Sequence, residues 1–119
     1  ALLDGDLASL LGAAAQGELA GATIGSAAAS AVTVVLAGGD YPAAADQGSV
    51  IEGVEGAEAT GARVFHAGTA LRDGVLVTNG GRILSVTASA ADLGSARDQT
   101  LDDKVVPARR DDADPEPGA

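Results

Sequence analysis

The sequence predicts an α+β domain in which antiparallel strands form a hairpin meander with flanking helices. Short runs rich in β-branched residues alternate with glycine-rich turns, which is typical of antiparallel strands. Apolar residues at helical spacing are clearest near the two ends of the chain. The 119 residues are 46% hydrophobic, which indicates a packed core. Together these observations favour one sheet-forming unit with a helix on either side of it.

The first helix is predicted over residues 1–17. Its apolar residues recur on one helical face: Leu3, Leu7, Leu10, Leu11 and Ala14. Asp4 or Asp6 can cap the start of this helix, and Gly17 can end it. The small, irregular residues 18–30 predict a loop or connecting segment.

The middle of the chain predicts a buried strand, a turn and a short helix. The strand is expected over residues 31–39, which are β-branched and end in two glycines. Pro42 predicts a turn, because it disfavours helical backbone at Tyr41. Ser49 and Glu52 have the S-x-x-E spacing of a capping box, so a short helix or helical turn is expected over 49–59.

A meander follows. Its strands are expected over residues 63–67, 69–72, 75–78 and 81–88. Asp73-Gly74 and Asn79-Gly80 lie between the last three strands, and both dipeptides favour two-residue type I′ turns. Because Asn, Asp and Gly tolerate positive φ, a tight hairpin is expected at each of them.

The end of the chain predicts an amphipathic helix and an acidic tail. The helix is expected over residues 91–106, with one face formed by Leu93, Ala96, Thr100, Leu101 and Val105. The tail, residues 107–119, contains acidic residues and prolines without an apolar anchor. We expect it to be disordered or to lie as a strap on the surface.

Charge and composition exclude several classes of function. A net charge of −10 argues against binding to nucleic acid, which needs a basic surface, and against an anionic membrane surface. No apolar run approaches the roughly 20 residues of a transmembrane helix, and no signal peptide is visible. The absence of cysteine excludes disulfides and thiolate nucleophiles, and fits a cytoplasmic protein.

Three motifs allow a chemical role, and each also has a structural explanation. The segment LAGGDYP, residues 36–42, is either a ligand-contacting loop or a plain exit from a strand, and it lacks both common phosphate-loop spacings. The single histidine, His66, is more often structural than catalytic in such a setting. Glu52, Glu55 and Glu58 are more often a solvated face than a metal site. No catalytic residue and no metal ligand is therefore predicted.

The segment TNGGR, residues 78–82, is the strongest local candidate for a binding site. A tight turn would bring backbone N–H groups and the Arg82 guanidinium to one place, which suits a phosphate or carboxylate. Arg82 is equally consistent with a solvent-facing strand residue. Biotinyl and lipoyl carrier hairpins present a lysine at the turn, whereas Lys104, the one lysine here, lies in the last predicted helix.

Three segments in order, VTVVLAGGDYP, IEGVEGAEA and VFHAGTALRDGVLVTNGGRILSVTA, resemble one family over about residues 2–98. They are similar to the C-terminal part of the glycinamide ribonucleotide synthetases, which are phosphoribosylamine–glycine ligases. The resemblance implies that residues 1–28 end an ATP-grasp domain as a helix and connector. It also implies that residues 29–106 form the C-terminal ligase domain.

The resemblance implies an ATP-dependent C–N ligase of purine (IMP) biosynthesis. Such a ligase joins glycine to 5-phosphoribosylamine through a glycyl phosphate, and it releases ADP and phosphate. ATP and Mg²⁺ or Mn²⁺ would be held in the full-length enzyme by a metal-binding segment, a glycine-rich lid and lysines that have no counterpart here. This chain alone is therefore expected to be inactive. Its expected partners are the ATP-grasp and N-terminal domains of the same enzyme and the substrates phosphoribosylamine and glycine.

The resemblance also assigns substrate-positioning residues. These are Gly38, Gly39, Tyr41, Pro42, Thr78, Asn79, Gly80, Gly81 and Arg82. Their expected role is orientation and anion binding rather than proton transfer.

Asp40 departs from the family pattern, which usually has a glycine at this position. The alternative is a free-standing, non-catalytic binding or vestigial domain. Asp40, the acidic tail and the missing ATP-grasp motifs favour this alternative. The apolar face of residues 2–11 favours the ligase, because a chain that stands alone has little use for another domain's helix.

Overall fold

A computed structural model describes residues 1–102 and 106–107. In this part of the chain the elements are, in order, β1 (Leu3–Asp4), α1 (Leu7–Gln16), β2 (Gly25–Ser26), β3 (Ser30–Ala37), β4 (Asp46–Glu52), α2 (Val54–Ala59), β5 (Arg63–His66), β6 (Thr69–Arg72), β7 (Val75–Gly80), β8 (Arg82–Ala90), α3 (Leu93–Asp102) and β9 (Val106–Pro107). The strands pair as β1-β2, as β3-β8-β5 and as β6-β7-β4-β9, and every pair is antiparallel. The predicted α+β class is confirmed.

The first helix is shorter than predicted, and its ends are set by two of the predicted residues. The Asp6 carboxylate accepts hydrogen bonds from the backbone N–H of Ser9 at 3.0 Å and from its hydroxyl at 2.6 Å. Gly17 ends α1 in the left-handed conformation, at φ 75°. Residues 3 and 4 are not helical, because they pair with β2 inside the segment predicted as a loop. No side chain of α1 is buried.

The β3-β8-β5 sheet carries most of the core. Ile83, Leu84 and Val86 of its central strand are each no more than 1% exposed. Helix α3 packs on β3 and β8 and buries Ala96 and Thr100. The Thr100 hydroxyl lies 2.8 Å from the carbonyl oxygen of Ala96, to which it donates a hydrogen bond. One face of the sheet is therefore covered by a helix, while Val35 and Phe65 remain more than half exposed.

The hairpin predicted at Asn79-Gly80 is wrong. Both residues belong to β7, where they pair with Gln47 and Asp46 of β4, and neither has a positive φ. The next strand, β8, pairs with β3 and β5 in the other sheet. Long-range pairing therefore overrides the local turn preference, and the chain passes from one sheet to the other at Gly81. The companion hairpin at Asp73-Gly74 is confirmed, with φ angles of 52° and 78°.

The capping box predicted at Ser49 is also wrong. Residues 46–52 form β4, and α2 begins only at Val54. The backbone N–H of Ser49 donates to the Thr78 hydroxyl at 2.9 Å, and its own hydroxyl donates to the Asp46 carboxylate at 3.0 Å. Gly48, at φ 88°, lies where the register between β4 and β7 shifts. Pairing with β7 therefore satisfies the polar groups that would otherwise have capped a helix.

The last helix ends before residue 106. Helix α3 ends at Asp102, and Val106 pairs with Glu52 as part of β9, so the predicted helix is too long. Of its predicted apolar face, Ala96 and Thr100 are buried, whereas Leu93 and Leu101 are 63% and 59% exposed. Val105 and residues 108–119 lie outside the described residues, as does nearly all of the predicted tail. None of the described helices has the length and apolarity needed to cross a bilayer.

The start of α3 gives a pH-dependent contribution to stability. Hydrogen bonds from the Ser95 backbone N–H at 2.9 Å and from its hydroxyl at 2.8 Å hold the pKa of the Asp92 carboxyl below its usual range. Because the pKa is lower in the folded state, this stability is present above the unfolded-state pKa, about 3.9. It is lost as the pH falls through the folded-state pKa.

We expect Asp92→Asn to remove this pH dependence, because asparagine also caps a helix but does not titrate. Comparing the acid limb of the unfolding curves of the two proteins, together with a ¹³C NMR titration of Asp92, measures the effect. A carboxyl that titrates above the usual aspartate range would contradict it.

Candidate functional site

Two crossings of the chain between the sheets meet at one place. The chain leaves β5 for β6 through Gly68 and leaves β7 for β8 through Gly81. The Gly68 N–H donates to the carbonyl oxygens of Arg82 and Ile83 at 3.0 and 2.9 Å, and the Asn79 N–H donates to the carbonyl oxygen of Gly68 at 2.7 Å. A Cβ on Gly68 would lie only 2.6 Å from the carbonyl oxygen of Arg82. The crossings are therefore in direct backbone contact.

The loop after β3 folds onto the second crossing. The Gly38 N–H donates to the carbonyl oxygen of Gly81 at 2.8 Å, and the Tyr41 N–H donates to the carbonyl oxygen of Gly38 at 3.0 Å. The Tyr41 ring lies against Gly81, where an added Cβ would be 2.7 Å from Cδ2 of the ring. Two segments that are some forty residues apart in sequence, LAGGDYP and NGGR, thus form one surface.

An open cleft of about 580 Å³ lies at this surface. It is lined by Val35, Tyr41, Phe65, His66, Ala67, Gly68, Gly81, Arg82, Leu84 and Ser85. The one tyrosine, the one phenylalanine and the one histidine of the chain are all among them. Among the residues that the structure describes, none of those lining the cleft carries a carboxylate, although the chain has 17 acidic residues.

Three of the predicted site residues line the cleft directly. They are Tyr41, Gly81 and Arg82. Gly38 is buried beneath the loop, where an added Cβ would be 2.9 Å from Cβ of Asp46. Gly39 and Pro42 belong to the same loop and are exposed.

The other three predicted residues lie in β7, behind the cleft. Thr78 is fully buried, and its hydroxyl accepts the Ser49 N–H. Asn79 and Gly80 pair with β4. A Cβ on Gly80 would be 3.0 Å from Cα of Gly68, so this glycine permits the close crossing. These three residues support the site rather than line it.

His66 lines the cleft although it was not among the predicted site residues. His66 pairs with Leu84 across β5 and β8, and its Nδ1 lies 3.1 Å from the Thr69 hydroxyl. Its position within the VFHAGT segment, which carries much of the family resemblance, was a signal in its favour. Residue spacing along the sequence does not identify His66 as a site residue, because the residues that it joins in the cleft come from other strands.

The Arg82 side chain is available to a ligand. It is exposed, and within residues 1–102 and 106–107 it has no hydrogen-bond or ion-pair partner. The ion pair in that part of the chain joins Arg97 and Asp98, at 2.7 Å. An unpaired guanidinium, in a cleft whose described lining residues include no carboxylate, suits a planar anion or a phosphate.

The described residues offer no candidate metal site. They contain no group of three or more His, Asp or Glu side chains that could hold a metal ion. The single lysine of the chain, Lys104, lies outside the described residues. The groups that line the cleft, a guanidinium and an imidazole beside aromatic rings, suit the binding and orientation of an anion.

The sequence profile of the family described as phosphoribosylglycinamide synthetase, C domain, matches residues 31–105. The chain belongs to this family. A phosphoribosylamine–glycine ligase of Mesorhizobium japonicum is 50% identical over 80% of this chain, which is 22% of that protein. A chloroplastic ligase of the same name from Arabidopsis thaliana is 46% identical over 82% of this chain and 19% of its own length. The chain thus spans about a fifth of these curated relatives.

The fold of the C domain agrees with a solved member of the same family. The crystal structure of phosphoribosylamine–glycine ligase from Thermotoga maritima matches with a TM-score of 0.51 and 38% identity. The match covers 61% of this chain and 17% of that one. The resemblance to the C-terminal part of these ligases is confirmed.

Proposed function

We propose that this C domain is part of a phosphoribosylamine–glycine ligase of purine biosynthesis. The longer protein would join glycine to 5-phosphoribosylamine with the hydrolysis of ATP to ADP and phosphate, in the cytoplasm. The observation that carries this proposal is the 50% identity, over 80% of the chain, to a protein of that name.

Within that protein, the cleft would hold phosphoribosylamine. Tyr41, Gly81 and Arg82 would contact the substrate, because they line the cleft. The loop residues Gly38, Gly39 and Pro42 would position Tyr41. The strand residues Thr78, Asn79 and Gly80 would fix the backbone that carries Gly81 and Arg82.

The chemical role of these residues is orientation. A guanidinium can donate two parallel hydrogen bonds to phosphate and so fix both its position and its direction. Holding a reactant in a productive geometry lowers the barrier without proton transfer by the residue that holds it. Phosphoryl transfer, with ATP and Mg²⁺ or Mn²⁺, would take place on the ATP-grasp domain, since the described residues contain no group of three or more acidic or histidine side chains that could hold the metal ion.

Residues 1–28 would be the end of that ATP-grasp domain, and residues 29–106 the C domain. Leu3, Leu7 and Leu11 are 56%, 42% and 61% exposed, and α1 buries no side chain. A helix with an apolar face gains most of its stability by packing that face against a neighbour. We propose that α1 packs within the ATP-grasp domain of the longer protein.

The test is an assay of the natural polypeptide in which this sequence occurs. We expect ADP formation that depends on both glycine and phosphoribosylamine. Arg82→Ala should raise the KM for phosphoribosylamine about ten-fold, which corresponds to the loss of one charge-assisted contact, while the KM for ATP changes little.

Arg72→Ala is the matched control, because it removes the same charge from an exposed arginine of β6 outside the cleft. An unchanged KM for phosphoribosylamine in the Arg82 variant would remove Arg82 from the substrate site. A natural polypeptide that forms no ADP would instead favour the free-standing, non-catalytic domain.

A further inference from the structure

We propose that His66 and Arg82 together form a two-point site for a sugar phosphate. In this site His66 is a second phosphate contact beside Arg82. The inference rests on the proposed function only for the natural ligand, which would be the 5-phosphate of phosphoribosylamine. The site itself is a property of this chain, since both side chains and all the supporting contacts lie in its described residues.

The distribution of charge is the first support. The chain carries 17 acidic residues and a net charge of −10, yet the described residues that line the cleft include Arg82 and the sole histidine and no carboxylate. Asp40, which precedes Tyr41 in the loop, and Asp46, which accepts a hydrogen bond from Ser49, are not among the lining residues. In a chain this acidic, a cleft lined by a guanidinium and an imidazole favours the binding of an anion.

Strand pairing places the two groups together. His66 lies directly opposite Leu84 on the neighbouring strand β8. Arg82 is two residues before Leu84 in β8, next to the irregular step at which Leu36 pairs with Leu84 and Ala37 with Arg82. The N–H of Gly68, two residues after His66, donates to the carbonyl oxygen of Arg82 at 3.0 Å, so the two segments are in direct backbone contact. Both side chains line the same cleft.

The imidazole is held in a defined orientation. Its Nδ1 lies 3.1 Å from the Thr69 hydroxyl, and Nε2 has no hydrogen-bond partner within the described residues. When the hydroxyl donates to Nδ1, the ring proton is on Nε2, which can then donate to an anion. Because Thr69 limits rotation of the ring, little orientational freedom remains to be lost on binding.

The walls of the cleft indicate a sugar phosphate rather than a free inorganic ion. Tyr41 is 46% exposed and Phe65 52% exposed, and Val35 lies beside them. Inorganic phosphate has no apolar surface to place against these groups. A ribosyl phosphate can place its ring carbons there while its phosphate contacts Arg82 and His66. We therefore expect ribose 5-phosphate to bind more tightly than inorganic phosphate.

The experiment is an NMR titration of the 119-residue chain with ribose 5-phosphate and, separately, with inorganic phosphate. The single histidine and the single tyrosine give one ring signature each, so a shift is assigned to the cleft without ambiguity. We expect saturable shifts of both rings. In His66→Asn, the amide can keep the contact with Thr69 but nothing replaces Nε2, and affinity should fall about ten-fold. His66→Gln places an amide near the position of Nε2 and should lose less.

Arg82→Ala should weaken binding at least as much as His66→Asn, and the control Arg72→Ala should bind as the unaltered chain does. Amide spectra establish that each variant is folded. No saturable shift in the unaltered chain, or equal affinity in His66→Asn, would overturn the role of His66. Equal affinity for the two ligands would overturn the sugar-phosphate assignment. These results test only the binding site. The proposed ligase function is tested separately and is contradicted if the natural polypeptide forms no ADP.

Discussion

Gly68→Ala is expected to destabilise the chain by about 3 kcal/mol or more, since the new methyl group meets backbone on two sides. Its Cβ would lie 2.6 Å from the carbonyl oxygen of Arg82 and 2.9 Å from Cα of Gly80. Neither atom can move aside without breaking the hydrogen bonds that join the two crossings. Urea unfolding followed by far-ultraviolet circular dichroism measures the change in the free energy of unfolding.

Gly56→Ala is the matched control, because it makes the same chemical change with the opposite expected sign. Gly56 lies in α2, and an added Cβ would have no atom within 4 Å. Alanine is favoured over glycine inside a helix by about 0.5–1 kcal/mol, so this variant should be more stable. If Gly68→Ala were as stable as the unaltered chain, the crossings would not be in close contact.

Thr78→Val is expected to cost about 1–3 kcal/mol, although valine has nearly the same shape as threonine. Thr78 is fully buried, and its hydroxyl accepts the Ser49 N–H at 2.9 Å. Valine would leave that N–H without its acceptor in the interior. Urea unfolding measures the loss, and hydrogen exchange at the Ser49 amide should become faster.

Thr87→Val provides the comparison for Thr78→Val. Thr87 is 6% exposed, and its hydroxyl lies 2.8 Å from the hydroxyl of Thr33. Thr33 is exposed, so water can replace the lost partner and the cost should be within about 0.5 kcal/mol. Equal losses in the two variants would show that the Ser49–Thr78 hydrogen bond is not the source of the effect.

These glycine and threonine positions show why the candidate site was only partly predictable. Tyr41, Gly81 and Arg82 were expected in the site and do line one cleft. Thr78 was expected there too, but it lies in the core because β7 is paired on both sides. His66 joins the cleft through its pairing with Leu84, which no local pattern reveals.

The clearest failure concerns Asn79-Gly80, and it has a physical explanation. Asn-Gly favours positive φ by a local preference of about 1 kcal/mol or less, and that preference acts in isolation from the rest of the chain. In the folded protein both residues instead pair with β4, and Gly80 also admits Gly68 at close range. The two adjacent glycines serve close backbone approach and the contact with Tyr41, not a hairpin turn.

By itself the sequence determined the features that depend on neighbours along the chain: the caps of α1 at Asp6 and Gly17, the hairpin at Asp73-Gly74, most strands and the family. Only the tertiary structure decided that β7 and β8 belong to different sheets and that the Gly38 and Gly81 segments meet. Caps and tight turns are set by dihedral preference and by hydrogen bonds within a few residues. The pairing of distant strands is set by burial and by hydrogen bonds between residues tens of positions apart, and these residues come together only when the chain folds.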